Sequence, residues 1–268
     1  RVLNLCCDFI DKEGATEIIK SLTINCNLHT LNLGHNCVCE GVLDIANLLR
    51  SNCTLHTLDL SGTLIDVTEV IEIVRSLRSN NTLHTLNLYY NNIDTDGFIE
   101  IVKMLSVNST LHTLNLGSNR QVAEGATEIA KALKSNCSLR TLDLSSNKIS
   151  TSGILEIAKA LTTNTILHTL DLSRNNIDID GAIGIANVLD SNTTLHTLNL
   201  GTNNIGSEGA VELANMLRSN TTLRELYLES NNIGREQSEQ PARQGQGTNG
   251  VIEIAKSLRT NATLHILD

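Results

Sequence analysis

The stretch "LHTLNLGTNNIGSEGAVELANMLRSNTT" (195–222) carries two different hydrophobic periods, and the change from one to the other decides the fold. Leu195, Leu198 and Leu200 open it; the alternation of Leu198 and Leu200 with polar residues marks a short strand. Ala210, Leu213, Ala214 and Leu217 follow at i, i+3, i+4 and i+7, which is one face of a helix. A single strand–helix unit of this size buries neither apolar face alone, so its neighbours must stack on it.

Copies of the unit run through the chain. Their strand leucines are Leu3, Leu31, Leu58, Leu86, Leu114, Leu142, Leu170, Leu198, Leu226 and Leu267. The intervals are 28, 27, six of 28, and a final 41. Repeats of roughly 20–50 residues are the mark of a solenoid. The pattern L-x-x-L-x-L-x-x-N-x-I, then G-A-x-x-L/I-A-x-x-L, predicts an α/β solenoid of about nine 28-residue units in a single domain over 1–268. The long last interval places an inserted loop, "GREQSEQPARQGQGTN" (234–249), in the ninth unit; it holds the one proline and four of the five glutamines. Such a loop suits either partner contact or tolerated slack. The chain starts and stops inside strands, so a fragment of a longer protein is expected.

Composition narrows the function classes. With 40% hydrophobic residues but only 2% aromatics, the core must be built from Leu, Ile, Val and Ala. The net charge is −9 and no Lys/Arg stripe interleaves with aromatics, which argues against nucleic acid as a partner. No apolar run reaches the roughly 20 residues that span a bilayer, so no membrane association is expected. Seven cysteines is an odd count. Cys26, Cys53 and Cys137 share one column and read as small, mostly buried, reduced thiols, which points to a cytoplasmic protein.

Two asparagine columns frame the unit. One follows the strand (Asn36, Asn91, Asn119, Asn147, Asn175, Asn203, Asn231) and suits a ladder of amides bonding the turn and the next coil. The other follows the helix (Asn25, Asn52, Asn80, Asn108, Asn136, Asn164, Asn192, Asn220, Asn261) and is expected to end it in the left-handed conformation. The second column creates seven N-x-S/T sequons, but Asn25 and Asn164 keep the asparagine without one, so the turn selects it.

The repeat resembles the ribonuclease-inhibitor-like subfamily of leucine-rich repeats over essentially the whole chain, with 195–222 a near-consensus copy. That resemblance implies a horseshoe with parallel strands on the concave face and helices on the convex face. It also implies a protein-binding function, as in ribonuclease inhibitors, NOD-like receptor sensor regions, Ran GTPase-activating proteins and bacterial effectors. The partner is left unnamed. A small-GTPase regulator, or the ligand-sensing region of a NOD-like receptor or an effector, are the alternatives it opens.

Seven of the eight histidines occupy the slot before "T-L", as His29, His56, His84, His112, His168, His196 and His265. Arg1, Arg140 and Arg224 fill it elsewhere. Arginine offers a metal no lone pair and loses no proton near neutral pH, so a metal ladder or proton relay would not tolerate it. A structural role near the helix C-terminus fits both residue types. His35, Cys37, Cys39 and Cys7 form a thinner zinc candidate, because C-x-C lacks the paired C-x-x-C spacing. No metal, cofactor or catalytic residue is therefore assigned. No phosphate loop, nucleophile elbow or paired carboxylate is present, and no enzyme activity is expected.

Function is then expected where the copies fail on the strand face. Tyr89, Tyr90, Arg174, Glu225, Tyr227 and Glu229 depart from columns filled mostly by Thr, Asn, Asp, Gly and Ser. Tyr and Arg are the residues that dominate interface hot spots.

Overall fold

A computed structural model describes residues 1–25, 27–38, 41–119, 123–234 and 249–268. The chain divides into two compact units, Arg1–Leu144 and Ser145–Asp268.

In the first unit strands and helices alternate as β1 (Val2–Asn4), α1 (Lys12–Ile24), β2 (Thr30–Asn32), α2 (Val42–Ser51), β3 (Thr57–Asp59), α3 (Val67–Leu77), β4 (Thr85–Asn87), α4 (Thr95–Leu105), β5 (Thr113–Asn115), α5 (Ala123–Ser135) and β6 (Thr141–Asp143). All the strands are parallel and pair in sequence order, with Leu3, Leu31, Leu58, Leu86, Leu114 and Leu142 opposite one another. The leucine spacing therefore is the register: the interval of 27 between Leu31 and Leu58 is absorbed outside the strands. Each helix packs on the next.

The second unit repeats the scheme with α6 (Thr151–Leu161), β7 (Thr169–Asp171), α7 (Ile179–Leu189), β8 (Thr197–Asn199), α8 (Gly206–Ser219), β9 (Glu225–Tyr227), α9 (Asn249–Ser257) and β10 (Ile266–Leu267). Leu170, Leu198, Leu226 and Leu267 are in register, so the long last interval leaves the pairing intact. The inserted loop itself, residues 235–248, lies outside the described residues. Both units are thus α/β solenoids, with leucine-class cores. Leu195, Leu198 and Leu200 are at most 1% exposed, each contributing about 1.5–3 kcal/mol by burial.

Local chemistry sets the helix starts. Asp94 and Asp178 accept the N–H of Gly97 and Gly181 through their side chains, capping α4 and α7. These glycines, with Gly209, have no room for a Cβ, which would sit 2.6–2.7 Å from the Cγ2 of Ile93, Ile177 and Ile205. Where this glycine is missing, Glu69 takes its place and forms a reciprocal capping box with Asp66.

The strand-side asparagines form the expected ladder. Asn91 donates to the carbonyl oxygens of Leu60 (2.9 Å) and Leu88 (3.1 Å) and accepts from the N–H of Ile65 (2.9 Å). The helix-side column differs from expectation. Asn25, Asn52 and Asn220 are extended, with ψ of 110°, 130° and 124°, and no member of the column has positive φ. Each works through its side chain instead. Asn80 accepts the N–H groups of Thr82 (3.0 Å) and Leu83 (2.8 Å) and donates to Leu49 O in the previous coil (2.7 Å). Only an amide supplies both functions, so the column is asparagine for its side chain, not for its backbone. Cys53 and Cys137, one residue further on, are exposed and not buried, because the asparagine turns inward and its successor outward. Cys26 lies outside the described residues.

The left-handed conformation occurs one residue before the strand-side asparagine, or before the Asp8 and Thr63 that replace it, and again one residue after that slot at Phe9, Leu64, Lys148, Asn176 and Asn232. Cys7, His35, Gly62, Tyr90, Ser118, Ser146, Arg174, Thr202 and Ser230 all have φ between 54° and 62°.

Candidate functional site

Each strand presents two side chains on either side of its buried leucine, and these make the strand face. The Asn/Asp column does more there than face solvent. Asp59 Oδ1 accepts the Ser61 N–H at 2.9 Å while its Oδ2 accepts from Asn87 Nδ2 at 3.0 Å. Asp171 and Asn199 form the same rung at 2.9 Å in the second unit. At both rungs an aspartate, which only accepts, lies beside an asparagine that donates.

The histidine slot lies at the strand entrance. His56, His196 and His265 place Nδ1 2.6–2.7 Å from the carbonyl oxygen two residues earlier, so Nδ1 donates its proton there. The bonded carbonyl belongs to the turn after the helix, not to the helix end expected from sequence. His29, His56, His84 and His112 follow one another with ring centroids 5.0–5.1 Å apart. Burial, then the neighbouring His112 and His56, hold the His84 pKa below its ordinary value.

The six partner-binding candidates fall into two groups, one in each unit. In the first, the Tyr89 and Tyr90 rings stack with centroids 6.2 Å apart at 30°. Tyr90, at φ 54°, is 61% exposed. It borders a depression of about 250 Å³ together with Leu64, Asn91, Asn92, Ser118 and Asn119. Leu64 is 54% exposed at φ 65°. Sequence reading missed Leu64, although its column otherwise shows Lys148, Asn176 and Asn232, and a leucine there has no core to fill. Phe9 occupies the same column, 99% exposed.

In the second unit, Glu225 accepts from Thr197 Oγ1 at 3.1 Å, and the Tyr227 hydroxyl lies 3.4 Å from the same carboxylate oxygen. Partial burial and the Glu225 charge raise the Tyr227 pKa, with Asp268 and Glu229 adding to it. Glu229 folds over Gly201, so that any side chain at 201 would run into its carboxylate. Arg174 is exposed at the edge, its N–H bonded to Gly201 O at 3.0 Å.

Among the described residues the zinc candidates are not brought together. The His35 ring lies against Gly62 in the following coil. Cys37 is exposed, and Cys39 lies outside the described residues. Among the described residues no group of three or more His, Cys, Asp or Glu side chains is placed to hold a metal ion. No described helix is long and apolar enough to cross a membrane.

Comparison with known proteins agrees with this frame. Residues 79–102, 107–130, 135–158, 163–186, 191–214 and 219–236 each match the Leucine Rich repeat family model, and the chain belongs to that family. No curated protein sequence matches it significantly. Among solved structures, the leucine-rich repeat-containing protein LegL7 from Legionella pneumophila is 17% identical with a TM-score of 0.59, covering 100% of this chain and 89% of its own. A chain of the Rad7–Elc1 complex in yeast is 18% identical with a TM-score of 0.58, covering 91% and 66%. At these identities the likeness is one of fold.

Proposed function

We propose that this chain is a non-catalytic protein-interaction module, receiving a protein partner on its strand face and the adjoining loop edge. The observation that carries this reading is the pair Leu64 and Tyr90. Two apolar side chains stand exposed on left-handed backbone, rimming a depression with an amide floor. Large exposed side chains, tyrosine among the foremost, are the composition of a hot spot. Tyr89 stacks behind Tyr90 and stiffens it. In the second unit Glu225, Tyr227 and Glu229, with Arg174 at the edge, interrupt an otherwise uniform Thr and Asn/Asp face. The yeast Rad7–Elc1 structure is a complex, which supports a protein as the partner class for this fold.

The test is capture of partners from a lysate of the source cells by the purified protein, with each captured protein quantified. Tyr89→Ala/Tyr90→Ala should lose a specific set of proteins that a helix-face control, Lys131→Ala/Lys159→Ala, retains. An unchanged set with the tyrosine variant, or an equal loss with the control, would sink the choice of surface.

A further inference from the structure

Cys6 and Cys7 are adjacent in sequence, and along an extended chain successive side chains point to opposite faces. Here they do not. The positive φ of Cys7, 62°, breaks the alternation just beyond β1 and brings the two Sγ atoms to 3.4 Å on one side. Cys7 is exposed and Cys6 half-buried, so both sulfurs are within reach of a small molecule. Their backbone is held: Cys6 N–H donates to Asn4 Oδ1 at 3.2 Å and Cys7 N–H to Gly34 O at 3.0 Å.

We propose that Cys6 and Cys7 form a two-thiol chelating site for a monosubstituted trivalent arsenical, a thiophilic centre that brings its own third substituent. An atom bonded at about 2.3 Å to both sulfurs would subtend about 95° at this separation, whereas tetrahedral zinc at the same bond length needs sulfurs about 3.8 Å apart and two further ligands. Those further ligands do not converge among the described residues. A pyramidal trivalent centre needs neither. Direct disulfide closure is opposed, because α-carbons across one trans peptide are about 3.8 Å apart and disulfides use roughly 4.4–6.8 Å. An atom bridging the sulfurs removes that demand.

The reaction balances without an oxidant. Phenylarsine oxide and two thiols give the phenylarsenic dithiolate and one water. Two S–H bonds break, two As–S bonds form, and the oxide leaves carrying both protons while arsenic stays trivalent. The hydrogen bond between the thiols raises the Cys6 pKa, as do its burial and the Cys7, Asp59 and Asp8 charges, so Cys6 enters as the thiol this condensation uses.

The test treats the reduced full chain with one equivalent of phenylarsine oxide, followed by iodoacetamide, intact mass and peptide mapping. One arsenical per chain is expected, with Cys6 and Cys7 both shielded from alkylation and the adduct released by ethanedithiol. Cys6→Ser and Cys7→Asn should each weaken capture roughly 100-fold or more, the loss expected when a second attachment no longer acts at high effective concentration. Asparagine at 7 tolerates the left-handed backbone, which keeps the variant folded. Adducts mapping to Cys37, Cys53 or another cysteine with Cys6 and Cys7 alkylated would overturn the proposal. So would either variant binding as tightly as the parent chain.

Discussion

Asn203 Nδ2 donates to the carbonyl oxygen of Leu172, 31 residues earlier, at 3.1 Å, and to Leu200 O at 2.8 Å. Its Oδ1 accepts from the N–H groups of Asn175 and Ile177, both at 2.9 Å. With Gly201 O at 3.3 Å, one buried amide thus joins five backbone groups from two coils. Asn203→Ala removes the acceptor of the Asn175 and Ile177 N–H groups, while Leu172 O and Leu200 O keep the amides of Asn175 and Asn231; the loss should cost about 3 kcal/mol in a urea titration. The exposed neighbour, Asn204→Ala, should cost less than about 0.5 kcal/mol. Equal effects would mean that the ladder does not hold the coils together.

The histidine stack gives stability a pH dependence. Burial and its two imidazole neighbours depress the His84 pKa in the folded chain below its ordinary 6.5. The unfolded chain then binds more protons between the two values, so stability is full above pH 6.5 and declines as pH falls through that window. NMR titration should find His84 ionising below 6.5, and His84→Gln should flatten the decline in urea midpoint between pH 7.5 and 5.5. A His84 pKa at or above 6.5 would contradict it.

Leu64→Asn separates binding from stability. Asparagine accepts the left-handed backbone that leucine resists, and Asn176 and Asn232 hold φ of 59° and 55° in the same column. The variant should be as stable as the parent or up to about 1 kcal/mol more stable, a rise in Tm of at most about 4 °C. Capture of the partner should weaken. Lower stability would show that Leu64 packs within the fold after all.

Charge on the second unit's face is read out by Tyr227. Glu225→Gln should bring the Tyr227 pKa down toward the ordinary tyrosine value in a spectrophotometric titration, because it removes the leading charge against the phenolate. Burial still acts, so a residual upward shift should remain. No change would place Glu225 away from the hydroxyl in solution.

How far these features are legible in the sequence depends on whether a residue's own chemistry or its neighbours' bonds decide them. Register was readable because leucine at a fixed spacing has one place to go. The strand-side ladder was readable because only asparagine donates and accepts at one point. The same logic misled at the helix ends: Asn52 and Asn220 suggested left-handed caps, while their side chains were the reason for their presence. The real left-handed column escaped notice because it holds Cys, His, Gly, Tyr, Ser, Arg and Thr. There the conformation is imposed from outside, as when Tyr90 N–H bonds to Gly117 O and the following Asn91 is fixed by the ladder. Leu64 went unseen for a related reason, since leucine in a leucine-rich pattern reads as core until its exposure is known.

That left-handed column has a consequence for how such a protein changes over generations. Because Cys, His, Tyr, Ser, Arg and Thr already hold the same φ in this column, exchanging one of these side chains for another there alters little but the surface. The amide ladder beside it cannot vary without loss. Ser118, Ser146, Thr202 and Ser230 are thus blank sites on an editable margin, where a tyrosine or an arginine can be written in and erased again while the coils behind it stand unchanged.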